Sequence, residues 1–127
     1  MKLVIGGAFQ GKYQYARKTF GIQEGWIDGD TCSWNEIFEC RGILHFHDYV
    51  QRRLRAGKSV DGLAEELLEK NPDICVVTNE LGYGVVPADA FDRKYREATG
   101  RICEKLAAGS DEVHRVICGI GTVIKRA

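Results

Sequence analysis

At 127 residues, with 44% apolar and 28% charged side chains, the chain is long enough for one core and has the make-up of an ordinary folded domain. Its 18 Lys and Arg balance 18 Asp and Glu, which argues against a general nucleic-acid or acidic-membrane surface. No apolar run approaches the ~20 residues of a membrane span, and the N-terminus reads straight into a strand instead of a signal peptide, so a cytoplasmic protein is expected. Five scattered cysteines, with no C-x-x-C spacing, point to reduced thiols and not to a metal site; Cys75 and Cys118 fall in apolar strand-like runs as small core residues.

In chain order, Lys2–Ile5 reads as a buried strand and Lys12–Phe20 as a helix closed by Gly21. Gly25–Asp30 is a short second strand with Asp28 and Asp30 at its end. Ser33-Trp34-Asn35-Glu36 has the form of a capping box, which predicts a short helix from Trp34, and Cys40–Gly42 reads as a break. Leu44, His47, Val50 and Leu54 recur at helical spacing, predicting a helix over Ile43–Ala56 that Gly57 stops. Leu63, Leu67 and Leu68 mark an amphipathic helix over Val60–Lys70, ended by Asn71-Pro72. Ile74–Thr78, β-branched and without alternation, suits the centre of a parallel sheet covered on both faces. Gly82–Pro87 is a loop, Ala88–Ala108 a long amphipathic helix, and Val113–Cys118 and Val123–Lys125 are closing strands around a Gly119–Gly121 turn. The whole chain, 1–127, is expected to be one phosphate-loop nucleotide-binding α/β domain, with a mainly parallel sheet and helices on both faces.

Gly6-Gly7-Ala8-Phe9-Gln10-Gly11-Lys12 fits the G-x-x-x-x-G-K phosphate-loop pattern and lies where that motif belongs, between a strand and a helix. In such a loop the backbone N–H groups curl round a phosphate chain, a lysine meets its outer phosphates, and the helix N-terminus faces the same anion. Gly6, Gly7, Ala8, Phe9, Gln10, Gly11, Lys12 and Tyr13 are therefore the candidate phosphate-binding residues. Tyr13 stands where Ser or Thr normally offers a hydroxyl to Mg²⁺. Glu80, just past the central strand, is expected to share a crevice with the loop and to hold Mg²⁺ or orient an attacking hydroxyl. Asp28 and Asp30 would reach the same sheet edge, as metal ligands, as a base for an acceptor hydroxyl, or merely as an Asx turn.

These segments resemble the adenosylcobinamide kinase/adenosylcobinamide-phosphate guanylyltransferase family of cobalamin biosynthesis. Three stretches carry the resemblance. They are Leu3–Ala8 through Gly11-Lys12, the run Thr78-Asn79-Glu80-Leu81-Gly82-Tyr83-Gly84-Val85-Val86-Pro87, and a C-terminal stretch. The last takes in Arg93–Glu97, Gly100-Arg101, Leu106-Ala107, Asp111–Val113, Gly119–Gly121 and Ile124-Lys125. The resemblance implies a phosphate-loop fold, a trimer, and Mg²⁺ with GTP or ATP acting on a corrinoid. Its first reaction phosphorylates the hydroxyl of the aminopropanol arm; its second transfers GMP through a guanylylated histidine. On the first reading, a kinase of this type, Lys12 and Glu80 are the expected catalytic residues, Lys12 on the phosphates and Glu80 as the metal-holding or acceptor-orienting carboxylate.

The departures are Tyr13, Cys103-Glu104 in place of Asn-Gln, and a much shorter region between the phosphate loop and Thr78. The segment bearing the nucleotidylated histidine has no counterpart, so phosphoryl transfer is expected ahead of guanylyl transfer. His45 and His47, two apart on the predicted helix, would face different ways and could not chelate one metal together. Each reads first as a satisfied or surface histidine; if one acts in guanylyl transfer it is His47, with Asp48 and Glu39 near enough to orient a ring nitrogen. His114 reads as structural. Arg52, Arg53, Arg55 and Lys58 read as a solvated face or a phosphate screen, and Trp26 and Trp34 as core or as stacking platforms. Two further readings remain open at this point: a non-catalytic nucleotide- or corrinoid-binding relative, and a kinase for a smaller hydroxyl-bearing metabolite.

Overall fold

A computed structural model of the chain describes residues 1–81 and 89–126. The apolar run after Met1 forms β1 (Lys2–Gly6), which lies between two parallel neighbours. These are β4 (Cys75–Asn79) and β5 (Glu112–Ile117). Beyond β4 come β3 (Gly42–Leu44) and β2 (Trp26–Asp28), both parallel. The far edge is β6 (Ile120–Arg126), antiparallel to β5, giving the order β2-β3-β4-β1-β5-β6. The expectation of α/β architecture with a mainly parallel sheet is met.

Four helices connect the strands: α1 (Lys12–Phe20), α2 (Phe46–Arg55), α3 (Leu63–Lys70) and α4 (Ala90–Gly109). Alternation along the strands sends neighbouring residues to opposite faces. Leu3, Val76 and Val113 join the larger core with Tyr49 and Val50 of α2, Leu67 of α3 and Leu106 of α4. Val4, Cys75, Val77 and Val116 face the other way, onto Ala16 of α1. Because α1 leaves β1 on one face and α4 leaves β4 on the other, a crevice opens between the C-terminal ends of these adjacent strands, the usual ligand position in such sheets.

The helix expected over Ile43–Ala56 is instead a strand followed by a helix. Ile43 pairs with Ile27 on one side and Val76 on the other. Gly42 is no break: a Cβ there would come within 2.5 Å of the Trp26 ring, so glycine permits a close approach inside a strand. His45, at φ 55 and ψ 44, turns the chain left-handed and separates β3 from α2. The predicted capping box is likewise absent. Asn35, without a side-chain cap, precedes only a 3₁₀ turn over Glu36–Phe38.

Helix α3 starts at Leu63, later than expected, because Gly62 adopts φ 75. Asp89 caps α4 by accepting a hydrogen bond from the Phe91 amide at 2.7 Å. The turn between β5 and β6 is Cys118-Gly119, both at positive φ, as a two-residue hairpin of this twist requires. Cys118 is thus exposed at a turn instead of buried in a strand, whereas Cys75 is a core residue whose thiol burial pushes up to about 12. The expected Gly82–Pro87 loop and the start of the last helix at Ala88 lie outside the described residues.

His114 is buried in β5 and held from both sides, by Tyr15 Oη at 2.7 Å from Nδ1 and by Glu112 Oε1 at 2.9 Å from Nε2. A buried imidazole with both nitrogens satisfied is a structural element that fixes α1 against the sheet.

Candidate functional site: the phosphate loop and the cleft beside it

The loop between β1 and α1 is shaped by contacts on both of its sides. Gly6 lies so close to β5 that a Cβ would sit 2.5 Å from the Val116 carbonyl oxygen. Gly11, at φ 81, is the left-handed residue that admits the chain to α1. The Gln10 side chain accepts from the Cys118 amide at 2.6 Å, and its carbonyl accepts from the Gly119 amide at 2.8 Å, so the β5–β6 turn clamps the loop. The Glu80 amide donates to the Gly6 carbonyl at 2.8 Å, tying the end of β4 to the start of the loop. Phe9, at φ 59, is fully exposed at the loop's tip.

Lys12 is 8% exposed, and its Nζ donates to the Gly7 carbonyl at 2.6 Å, inside the curl of the loop. Burial lowers its pKa from the ordinary lysine value, and the Glu80 charge works the other way. A buried ammonium whose hydrogen-bond partner among the described residues is a neutral carbonyl is poised for an anion. Tyr13 packs edge-on to Trp26 at 5.1 Å between ring centres and lies under the Arg17 guanidinium at 5.4 Å. Its ring fills an aromatic niche on α1, while Trp26 also donates from Nε1 to the Ile22 carbonyl at 2.8 Å.

A cleft of about 240 Å³ opens beside the loop, with Ala8, Phe9, Lys12 and Tyr13 on one side. Leu44, His45, His47 and Asp48 from the β3–α2 junction form the opposite wall, and Val77–Asn79 of β4 the floor. The volume falls below the roughly 300–1,000 Å³ of pockets that enclose a whole small molecule, so it suits the phosphate end of a ligand whose remainder lies across the rim.

The two histidines in that wall are close neighbours, ring centres 5.9 Å apart, and not on opposite faces of a helix. They are held in opposite states. His45 Nδ1 lies 2.9 Å from Asp28 Oδ1. His47 Nδ1 accepts from the Asn79 amide at 3.1 Å, and its Nε2 faces Asp48 at 3.6 Å. Burial lowers the His47 pKa, Asp48 opposes that, and the charges of His45 and Lys12 reinforce it. The Asp28 carboxyl is held below its usual value although its burial pushes upward, because the Asp30 amide, His45 and Arg52 together outweigh that effect.

Glu80 is salt-bridged to Arg115, at 2.8 Å to Nε and 3.3 Å to Nη2. It lines a shallow depression with Gly7, Gln10 and Ile117, separate from the cleft that His45 lines. Asp30 is exposed, and its amide donates to Asp28 Oδ1 at 2.9 Å in an Asx turn. Asp28, Asp30 and Glu80 therefore do not meet: among the described residues no group of three or more His, Cys, Asp or Glu is placed to hold a metal ion. Mg²⁺ carried by a nucleotide takes most of its ligands from phosphate oxygens and water, and needs only one or two from protein. Glu80 is a carboxylate at the loop, and both of its oxygens are held by Arg115.

In the basic run of α2 and the turn after it, Arg55 and Lys58 are exposed, as expected of a solvated face, whereas Arg52 and Arg53 are tied to backbone carbonyls. Arg52 donates to the carbonyls of Gly29 and Cys32, each at 2.8 Å, and stacks on Trp34 at 4.7 Å. Arg53 donates to the Ser59 carbonyl at 2.7 Å. Arg115, the Gln10 clamp and the Asp28–His45 pair were not evident in the sequence. Recognising Gly42–Leu44 as a strand parallel to Trp26–Asp28 would have placed Asp28 and His45 side by side.

A family model described as cobinamide kinase / cobinamide phosphate guanyltransferase matches residues 35–124. The bifunctional adenosylcobalamin biosynthesis protein CobU of Salmonella typhimurium strain LT2 is 46% identical over 52 residues, 41% of this chain. The protein of the same name from Escherichia coli strain K12 is 44% identical over 52 residues. In both, the aligned stretch spans 29% of the relative's length. The chain belongs to the cobinamide kinase / cobinamide phosphate guanyltransferase family, a family of phosphate-loop NTPase fold.

Proposed function

We propose, taking membership of this family as the premise, that the chain binds Mg²⁺ with GTP or ATP in the Gly6–Tyr13 loop and transfers the terminal phosphoryl group to a hydroxyl of a corrinoid. The observation that carries the reading is the buried Lys12 ammonium, held inside the loop at the mouth of a cleft sized for phosphates. Loop amides and Lys12 would neutralise the β- and γ-phosphates, which is the main protein contribution to phosphoryl transfer. Glu80 is the residue that would hold the cation, which would supply further charge neutralisation. Arg115, freed from Glu80, is then available to the phosphates.

The small cleft leaves a corrinoid on the open rim, with only its hydroxyl-bearing arm reaching Lys12. Phosphoryl transfer is favoured over guanylyl transfer because the region between the phosphate loop and Thr78 is much shortened, leaving no counterpart of the segment that bears the nucleotidylated histidine. The five free thiols suit a reducing, cytoplasmic setting, and no helix among the described residues is long and apolar enough to cross a membrane. Self-association is part of the same reading, through Ile117, Ile120, Val123 and Ile124, all exposed on the β5–β6 hairpin.

Incubation with γ-³²P-labelled GTP or ATP, Mg²⁺ and cobinamide tests this directly. Label moving to the corrinoid supports the kinase reading, and label remaining on nucleotide with tight binding supports a second one. That second reading, a nucleotide-binding relative without turnover, draws on Tyr13 in its aromatic niche and on the Arg115–Glu80 salt bridge.

A further inference from the structure

We infer that His45 is the general base that accepts the proton of the attacking hydroxyl, and that Asp28 is its positioning residue. The inference rests on the phosphoryl-transfer reading above. A carboxylate can only accept a hydrogen bond, so the 2.9 Å contact between Asp28 Oδ1 and His45 Nδ1 places the imidazole proton on Nδ1. In the neutral ring, Nε2 then keeps its lone pair. His47 is in the reverse state: the Asn79 amide donates to Nδ1, so the ring proton sits on Nε2 and the basic nitrogen is spent. Of the two histidines in the cleft wall, His45 alone offers a bare nitrogen.

The carboxylates near the loop are otherwise engaged. Glu80 is bound by Arg115, and Asp28 Oδ1 is shared by His45 and the Asp30 amide. Asp48 is 3.6 Å from the protonated Nε2 of His47.

The backbone is built round this arrangement. His45 is a non-glycine residue in the left-handed region, a conformation that persists only where the surroundings over-determine it. Three contacts do so. The Gly29 amide donates to the Leu44 carbonyl at 2.8 Å, and the Gly29 carbonyl accepts from Arg52 at 2.8 Å. Gly29 itself presses on His45 so closely that a Cβ would lie 2.2 Å from the His45 carbonyl oxygen. The turn carrying Asp28 and the turn carrying His45 are thus locked together at the cleft that Lys12 lines.

In the step that follows, the hydroxyl oxygen forms a bond to the γ-phosphorus while the bond from that phosphorus to the β–γ bridging oxygen breaks. The electron pair of the broken bond leaves with the nucleoside diphosphate, and the hydroxyl proton passes to His45 Nε2. The Asp28 carboxylate stabilises the resulting imidazolium, which returns its proton to water.

The test is His45→Gly, since glycine keeps the left-handed turn and leaves room for a small base. The variant should bind Mg²⁺–nucleotide like wild type and transfer phosphoryl to cobinamide ~10²–10⁴-fold more slowly. Added imidazole should restore at least part of the rate, which a lost structural staple would not allow. Asp28→Asn should lower kcat with little change in KM. Wild-type turnover in His45→Gly, or a slow variant that imidazole leaves unchanged, overturns the inference. So does covalent retention of label from α-³²P-GTP by wild type but not by His45→Gly, which would make His45 a nucleophile. Wild-type protein that binds no nucleotide, or transfers none of its phosphate, fails at the underlying reading, and the inference falls with it.

Discussion

Asp28 and His45 are 17 positions apart in sequence, yet Oδ1 of one lies 2.9 Å from Nδ1 of the other. Parallel pairing of β2 with β3 puts Asp28 opposite Leu44, so His45 is the next residue along. Each strand is only three residues long, and the turns that follow them carry the functional side chains.

Gly29→Ala strikes this junction from the backbone side. The new Cβ would overlap the His45 carbonyl oxygen at 2.2 Å, and neither segment is a flexible side chain that can give way. Urea unfolding should show a loss of ~1–3 kcal/mol.

Gly100→Ala gives the opposite sign. Gly100 lies within α4 with nothing inside 4 Å of the place an added methyl group would take, so alanine removes only the entropic penalty of glycine. A gain of ~0.4–1 kcal/mol is expected in the same unfolding measurement.

Acid stability should report on His47. Its folded-state pKa is lowered, chiefly by burial, while the unfolded value is about 6.5. Between those two values the unfolded chain binds a proton that the folded chain does not, so stability rises with pH. The contribution is therefore fully present above pH ~6.5 and is lost as pH falls from there towards the folded-state pKa. Asp28, whose folded pKa is also lowered, stabilises above ~3.9 and is lost only below that. Denaturation midpoints between pH 5 and 7 should fall with acidification in wild type and fall less in His47→Asn, which keeps an acceptor for the Asn79 amide.

Much of this architecture is legible in the sequence, and what is not has a definite cause. The Leu3–Ile5 strand, the phosphate loop, the Ile74–Thr78 strand and the long final helix each announce themselves through local pattern. Strand β3 does not: Leu44, His47, Val50 and Leu54 share a helical period with the helix that follows, and Gly42 looks like a breaker until the Trp26 ring behind it is known. Once β3 is missed, His45 and His47 are placed on a helix, and their separate partners in β2 and β4 cannot be found. Glu80 illustrates the same limit, because its partner Arg115 is 35 residues away and joined to it only through the fold.

The β5–β6 hairpin should mediate self-association. Ile120 is 72% exposed and Ile124 56%, on a strand that ends the sheet, which is a costly surface to leave in water. Sedimentation should show an oligomer for wild type and a monomer for the double variant Ile120→Asp, Ile124→Asp. A monomeric wild type would refute this.

Calorimetric titration of GTP and ATP, with and without Mg²⁺, into wild type and Lys12→Ala bears most directly on the site as a whole. Lys12 is buried and bonded to the Gly7 carbonyl, so its removal should empty the loop of its ammonium without disturbing the clamps at Gln10 and Glu80. Mg²⁺-assisted binding of one nucleotide to wild type, lost in a folded Lys12→Ala, is the predicted result. Equal binding by both proteins, or none by wild type, would contradict the assignment of this loop as a phosphate site.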